Sequence, residues 1–275
     1  MSNSSLYAPA KTAVRQCMNL GPEESCAIVT DDKRKAIAEA LYTVASEITD
    51  DAVLLRYPPG EQHGEEPPTP VTGAMRDADV VLAPTTKSLS HTTARIEATE
   101  AGARMATLPG ITDGVFLMGL DADYERIRKA CADVLDQVAG AETVRVTSPQ
   151  GTDITFRPGD REWLEDTGIV HDPGAFSNLP AGEVFVAPET ADGRVVVDGT
   201  IMPHGQLDEG QTVAFTVEDG AVTSIEDDDL RAEVEAAEEA AGEDAYNLAE
   251  LGIGTNVAVT ELVGSVLLDE KAGGT

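Results

Sequence analysis

The first half of the sequence alternates short apolar runs with longer segments in which apolar residues recur at helical spacing. The apolar runs occupy residues 26–29, 52–57, 79–83 and 104–108, and each has the length of a buried strand. Asp31 or Asp32 is placed to cap the helix that follows the first run. Such alternation is typical of parallel sheets covered by helices. We therefore expect an α/β domain of flavodoxin-like type over residues 1–140.

The second half has a different pattern, with short strands and few helices. A hairpin is predicted over residues 143–157, further strands over residues 182–187, 194–201, 211–217 and 221–225, and an acidic helix over residues 229–241. We therefore place a domain boundary near residue 140. The second domain, residues 141–275, is expected to be a strand-rich α+β domain.

Charge limits the partners of this chain. Its 275 residues include 50 Asp and Glu against 19 Lys and Arg, which gives a formal net charge of −31. Nucleic acids and anionic membrane surfaces would be repelled, so neither is expected as a partner. Because a salt-rich cytoplasm screens an acidic, lysine-poor surface, the composition also suggests the hypothesis of a halophilic source.

Three cysteines, Cys17, Cys26 and Cys131, are an odd number without metal-binding spacing. They are expected to be reduced, buried and structural. The N-terminus lacks the pattern of a signal peptide, and no apolar run reaches the ~20 residues of a membrane span. The sequence therefore predicts a cytoplasmic protein.

Two isolated acids stand among apolar and glycine-rich residues. Glu183 enters an apolar strand, where a carboxylate is costly to bury without a cation or a proton, and Glu250 precedes tightly spaced glycines. The simpler interpretation of Glu183 is a surface residue at a strand end. Gly252 and Gly254 could also suggest a dinucleotide-binding motif. The third glycine of that motif is missing, so we reject this interpretation.

A third candidate is His91, which follows the third predicted strand at the start of a helix. Ligand-facing groups occupy such positions in open α/β sheets, so His91 is a candidate substrate-binding residue. A surface or capping histidine is the structural alternative.

Three motifs carry a resemblance to a known family. They are residues 178–188, 249–256 and 269–275, with the sequences NLPAGEVFVAP, AELGIGTN and DEKAGGT. In this order they resemble the successive signatures of the aminopeptidase T family of metallopeptidases. The resemblance extends more loosely to the first 140 residues.

The resemblance implies a metal-dependent aminopeptidase that releases N-terminal residues from peptides and forms a homodimer. The family uses two divalent metal ions, such as Zn, Co or Mn, and Glu183 and Glu250 match two of its glutamate ligands. The family's other ligands follow the last motif, and the chain ends at Thr275. We therefore expect a metal-binding domain that is incomplete at its C-terminus, with the catalytic residues unassigned.

Residues 78–92 and 102–105 are also similar to the related 2,5-dihydroxypyridine dioxygenases, which bind one Fe(II) through two histidines and an aspartate. A non-haem iron enzyme that cleaves an aromatic ring is therefore the first alternative. The second alternative is an inactive fragment that keeps only a structural or binding role.

Overall fold

The structure, a computed structural model, describes residues 3–274 and divides them into two compact units. Unit 1 comprises the chain up to Arg128 together with Asp166–Gly182, and unit 2 comprises Lys129–Glu165 together with the chain from Glu183 onward. The division into residues 1–140 and 141–275 remains a sequence-based prediction.

Eight α-helices and fifteen strands are present within the described residues. The helices are α1 (Asn3–Lys11), which continues as a π-helix over Thr12–Cys17, α2 (Lys35–Ser46), α3 (Thr69–Asp77), α4 (Thr93–Glu100), α5 (Asp113–Leu120), α6 (Tyr124–Val138), α7 (Asp228–Ala241), followed by a 3-10 turn over Gly242–Tyr246, and α8 (Val266–Asp269). The strands are β1 (Cys26–Asp31), β2 (Ala52–Tyr57), β3 (Val80–Thr85), β4 (Arg104–Pro109), β5 (Val144–Thr147), β6 (Asp153–Arg157), β7 (Leu164–Asp166), β8 (Phe176–Asn178), β9 (Glu183–Val186), β10 (Thr190–Val197), β11 (Thr200–Ile201), β12 (Gly205–Gln206), β13 (Val213–Glu218), β14 (Ala221–Ile225) and β15 (Leu251–Gly254).

Unit 1 is built on a five-stranded parallel sheet with the order β2-β1-β3-β4-β8. This confirms the predicted parallel sheet, and its order follows the flavodoxin-like pattern. All six residues of β1 and of β3 are buried, which explains why these runs are almost wholly apolar. The core beside them includes Val29, Val81 and Met105, and α2 packs an apolar face that contains Leu41 and Val44.

The predicted cap of α2 is wrong. This helix begins after Arg34 without a side-chain cap. The Asp31 carboxylate instead accepts hydrogen bonds from the amide of Lys33 at 2.9 Å and from both the amide and the hydroxyl of Thr86. Asp31 is therefore a buried group that ties the end of β1 to the end of β3.

Unit 2 contains a five-stranded antiparallel sheet with the order β14-β13-β10-β6-β5, which agrees with the predicted hairpin and short strands. A second sheet has the order β15-β9-β7, and β11 pairs with β12. The acidic helix α7 buries none of its residues, so its carboxylates face solvent. Within residues 3–274, no helix combines the length and apolar character needed to cross a membrane.

Candidate functional site

Glu183 is the first residue of β9, and its backbone partner across the sheet is Gly254 of β15. The residue is only 7% exposed, so the structure excludes the interpretation of Glu183 as a surface cap. Burying a carboxylate requires a compensating charge or hydrogen bonds. The surroundings of Glu183 supply that compensation.

Glu250 lies immediately before β15 and brings a second carboxylate to the same place. A Cβ added to Gly252 would stand 3.4 Å from Oε2 of Glu183 and 3.7 Å from Oε1 of Glu250. The structure therefore brings the two predicted glutamates together around one glycine. The absence of a side chain at residue 252 keeps the space between the two carboxylates open.

A buried lysine balances part of this charge. The ammonium of Lys271 donates to Oε1 of Glu183 and lies 3.0 Å from Oε1 of Glu270. The pKa of Glu250 is raised because partial burial disfavours its charged form, with Lys271 opposing this shift and Glu270 adding to it. We call Glu183, Glu250, Glu270 and Lys271 the carboxylate cluster. Three carboxylates and one ammonium leave it net negative when all are ionised.

The last motif is held against β15 by backbone hydrogen bonds. Asn256 N donates to Lys271 O at 2.8 Å, Gly273 N donates to Asn256 O at 3.2 Å, and Gly274 N donates to Gly254 O at 3.0 Å. With Glu183 on the neighbouring strand, all three motifs that carry the resemblance meet at one place. Lys271 lies in the third motif, but its role could not be predicted from the sequence, because an ion pair across 88 residues leaves no local signal.

Asp269 fixes the segment that precedes Lys271. Its carboxylate accepts hydrogen bonds from the amides of Val263, Gly264 and Ser265 at 2.8–3.1 Å and from the Thr200 hydroxyl at 2.6 Å. A buried carboxylate with several donors is a rigid anchor. It therefore helps to hold Lys271 beside Glu183.

His91 belongs to unit 1, where it lies exposed in the turn before α4. The neighbouring Thr92, rather than His91, caps that helix by accepting a hydrogen bond from the amide of Arg95. A substrate-binding role for His91 stays a prediction.

The donors around the carboxylate cluster fit a divalent cation only in part. Glu183 and Glu250 offer oxygen ligands, yet no group of three His, Cys, Asp or Glu side chains able to hold a metal occurs among residues 3–274. The cysteines do not add to the set. All three are buried and none forms a disulfide, and burial raises the pKa of Cys17 and takes that of Cys26 to about 12.

The parallel sheet of unit 1 and the antiparallel sheets of unit 2 define a two-unit α/β protein, and unit 2 carries the paired glutamates. The sequence of residues 6–261 matches the 2,5-dihydroxypyridine 5,6-dioxygenase family. The chain therefore belongs to that family. No curated protein sequence matches it.

Two solved structures are similar to this fold. A 2,5-dihydroxypyridine dioxygenase from Pseudomonas putida KT2440 superposes with a TM-score of 0.79 at 16% identity, covering 99% of this chain and 84% of that one. Wild-type AmpT from Thermus thermophilus gives a TM-score of 0.69 at 18% identity, covering 98% and 84%. These TM-scores show that the chain shares its fold with both structures.

Proposed function

We propose that this protein is a metal-dependent aminopeptidase in which Glu183 and Glu250 are metal ligands. The observation that carries the proposal is the convergence of these two carboxylates around Gly252. Carboxylate oxygens are suitable ligands for the divalent ions of hydrolases. The resemblance of the three motifs to the aminopeptidase T family points to the same two residues.

The residues of the chain would hold and position the ion. Glu250 keeps contact with solvent, so an ion can reach its carboxylate, whereas Glu183 is buried and fixed by Lys271. Lys271 donates to Oε1 of Glu183, and Oε2 of Glu183 lies on the side of Gly252 and Glu250. A bound divalent ion supplies a water of lowered pKa and polarises a carbonyl group. Two carboxylates provide only part of a coordination sphere, which agrees with the partial fit of the donors.

The second candidate is a ring-cleaving dioxygenase that uses Fe(II), favoured by the family match over residues 6–261. That family resemblance implies two histidines and an aspartate as iron ligands. The paired carboxylates are the reason to prefer hydrolysis, because they supply the acidic oxygen ligands of a divalent-metal peptidase.

Assaying both reactions on the same preparation tests the proposal. The protein would be incubated with leucine p-nitroanilide in Zn²⁺, Co²⁺ or Mn²⁺, and with 2,5-dihydroxypyridine and oxygen in Fe²⁺. Release of nitroaniline that is lost in Glu183→Gln and Glu250→Gln supports the proposal. Glu233→Gln, on the exposed helix α7, is the matched control.

Oxygen uptake with loss of 2,5-dihydroxypyridine, and no release of nitroaniline, would show that the protein is a dioxygenase and refute the proposed peptidase activity. If neither reaction occurs, binding of Zn²⁺ or Mn²⁺ is measured by calorimetry. Equal metal affinity of the parent chain and of both glutamine variants would refute the assignment of Glu183 and Glu250 as ligands.

A further inference from the structure

A cavity of about 360 Å³ lies in unit 1, at the carboxyl ends of the parallel strands. Asp31 ends β1, Tyr57 ends β2 and Thr85 ends β3, and all three residues line the cavity. The chain runs from β1 outward to β2 and then back past β1 to β3, so the direction of the connections reverses here and a crevice opens beyond the strand ends. Such crevices are the usual ligand sites of open α/β sheets.

The proline-rich segment of residues 58–68 forms one wall of this cavity, and the structure shows it to be tied down. Gly64 N donates to Ser88 O at 2.9 Å, and the Glu66 carboxylate accepts from the amides of Thr93 and Ala94 at the start of α4. Two separate points thus fix the segment to the chain that follows β3. These hydrogen bonds therefore hold one wall of the cavity in place within unit 1.

The polar groups of the cavity carry both signs of charge. Asp31 is 1% exposed, and the three groups that donate to its carboxylate are uncharged. Glu65 accepts only backbone amides, the closest being that of Glu61 at 2.6 Å. Lys87 also lines the cavity, and it makes no ion pair with any residue of the described chain. The cavity thus has a carboxylate side, formed by Asp31 and Glu65, and an ammonium side, formed by Lys87. Neither side has a charged partner within the described chain.

Tyr57 also lines the cavity. Burial raises the pKa of its phenol to about 12, and the charges of Asp31 and Glu65 add to the shift. The ring, together with Pro59, Pro68 and Leu89, gives the cavity an apolar surface. An apolar surface with a few charged groups is typical of sites for small molecules.

We propose that this cavity is a binding site for a small apolar α-amino acid. Its ammonium would face Asp31 and Glu65, its carboxylate would face Lys87, and its side chain would pack on Tyr57 and Leu89. The volume suits a small ligand, being near the lower end of the roughly 300–1,000 Å³ found for such sites. Nucleotides are disfavoured, because Asp31, Glu65 and the other acids of the lining repel phosphate.

Calorimetric titration of the whole chain with L-leucine tests this site. The buffer contains EDTA, so that binding through a metal held by Glu183 and Glu250 is excluded and the result is independent of the proposed function. Saturable binding of one leucine per chain is expected. Leucinamide, which lacks the carboxylate, and 4-methylpentanoate, which lacks the ammonium, should each bind at least about tenfold more weakly.

Two variants assign the ends of the ligand. Lys87→Gln should weaken leucine about tenfold and leave leucinamide unchanged, whereas Glu65→Gln should weaken both amines. Lys33→Gln, an exposed lysine outside the cavity lining, is the control and should bind like the parent chain. Thermal unfolding of each variant verifies that it is folded. Absence of saturable leucine binding, or unchanged leucine affinity in folded Lys87→Gln, would overturn the proposal.

Discussion

The ammonium of Lys271 forms an ion pair with the carboxylate of Glu183, and the two side chains are only 4% and 9% exposed. This contact joins two segments that are 88 residues apart in sequence. It also compensates the charge of a carboxylate that burial would otherwise destabilise. We therefore expect Lys271 to stabilise Glu183 in its buried position beside Glu250.

Replacing Lys271 by Met should destabilise the protein by about 3–5 kcal/mol, because Glu183 is left buried without its cation. The free energy of unfolding is measured by urea denaturation in EDTA. Lys129→Met removes an exposed lysine and should change stability by less than about 0.5 kcal/mol. Adding Glu183→Leu to Lys271→Met should restore part of the loss. Equal stability of the two lysine variants would contradict the role of the ion pair.

Gly252→Ala should separate metal binding from folding. The added methyl group would stand at contact distance from both Glu183 and Glu250, 3.4 and 3.7 Å from their nearest oxygens, so the fold can accept it. The same methyl group would occupy the space between the carboxylates. We therefore expect a folded variant with at least about tenfold weaker Zn²⁺ or Mn²⁺ affinity by calorimetry.

Gly73→Ala is the matched control for Gly252→Ala. Gly73 lies in α3, and an added Cβ there meets no atom within 4 Å. It should leave metal affinity unchanged and raise stability by about 0.5–1 kcal/mol, because alanine favours a helix. Unchanged affinity in Gly252→Ala would show that metal does not bind between Glu183 and Glu250.

Sequence periodicity predicted the regular part of unit 1 well, because each buried strand of its sheet is a short apolar run. The missed elements lack such a signal. The helix α5 (Asp113–Leu120) is apolar on most sides and so has no clear amphipathic period, and α3 begins directly after a proline-rich segment. The strand β8 has three residues and is defined by its pairing with β4. Such pairing is a tertiary property that a local pattern does not contain.

The candidate site likewise has residues that the sequence predicts and residues that it does not. Glu183 and Glu250 were conspicuous because an isolated acid in an apolar, glycine-rich setting is unusual, and the family motifs reinforced that signal. Lys271 and the cavity beside Asp31 were not predicted. Both depend on contacts between residues that are distant in sequence, and the local pattern around Asp31 and Asp32 indicates a helix cap instead.

Glu24 and Arg104 should give unit 1 a pH-dependent contribution to stability. The two guanidinium nitrogens of Arg104 donate to the Glu24 carboxylate at 2.7 and 2.8 Å, and these hydrogen bonds are the main reason that the pKa of Glu24 is lowered. A carboxyl whose pKa is lowered by folding stabilises the native state above its unfolded pKa, near 4.5. That stabilisation is lost as the pH falls through the lower, folded pKa.

Glu24→Gln should therefore lower the free energy of unfolding by about 1 kcal/mol near pH 7, a value reduced for the partial exposure of the glutamate. The difference from the parent chain should vanish as the pH falls below the folded pKa of Glu24. Glu125→Gln, which removes an exposed ion pair with Arg128, should have little effect at either pH. A deficit in Glu24→Gln that stays constant with pH would contradict this assignment.

Salt should stabilise the whole protein, since 50 acidic residues oppose 19 basic ones. Helix α7 illustrates the reason, because none of its residues is buried and its closely spaced carboxylates repel one another in solvent. Potassium ions screen such repulsion over about 10 Å at 0.1 M salt and over about 3 Å at 1 M. The Tm measured by circular dichroism should therefore rise from low to molar KCl.

An equal osmolality of sucrose is the control for the effect of an excluded solute. A Tm that rises equally in KCl and in sucrose would show that charge screening is not the cause. A Tm that does not rise with KCl would remove the basis for proposing a halophilic source.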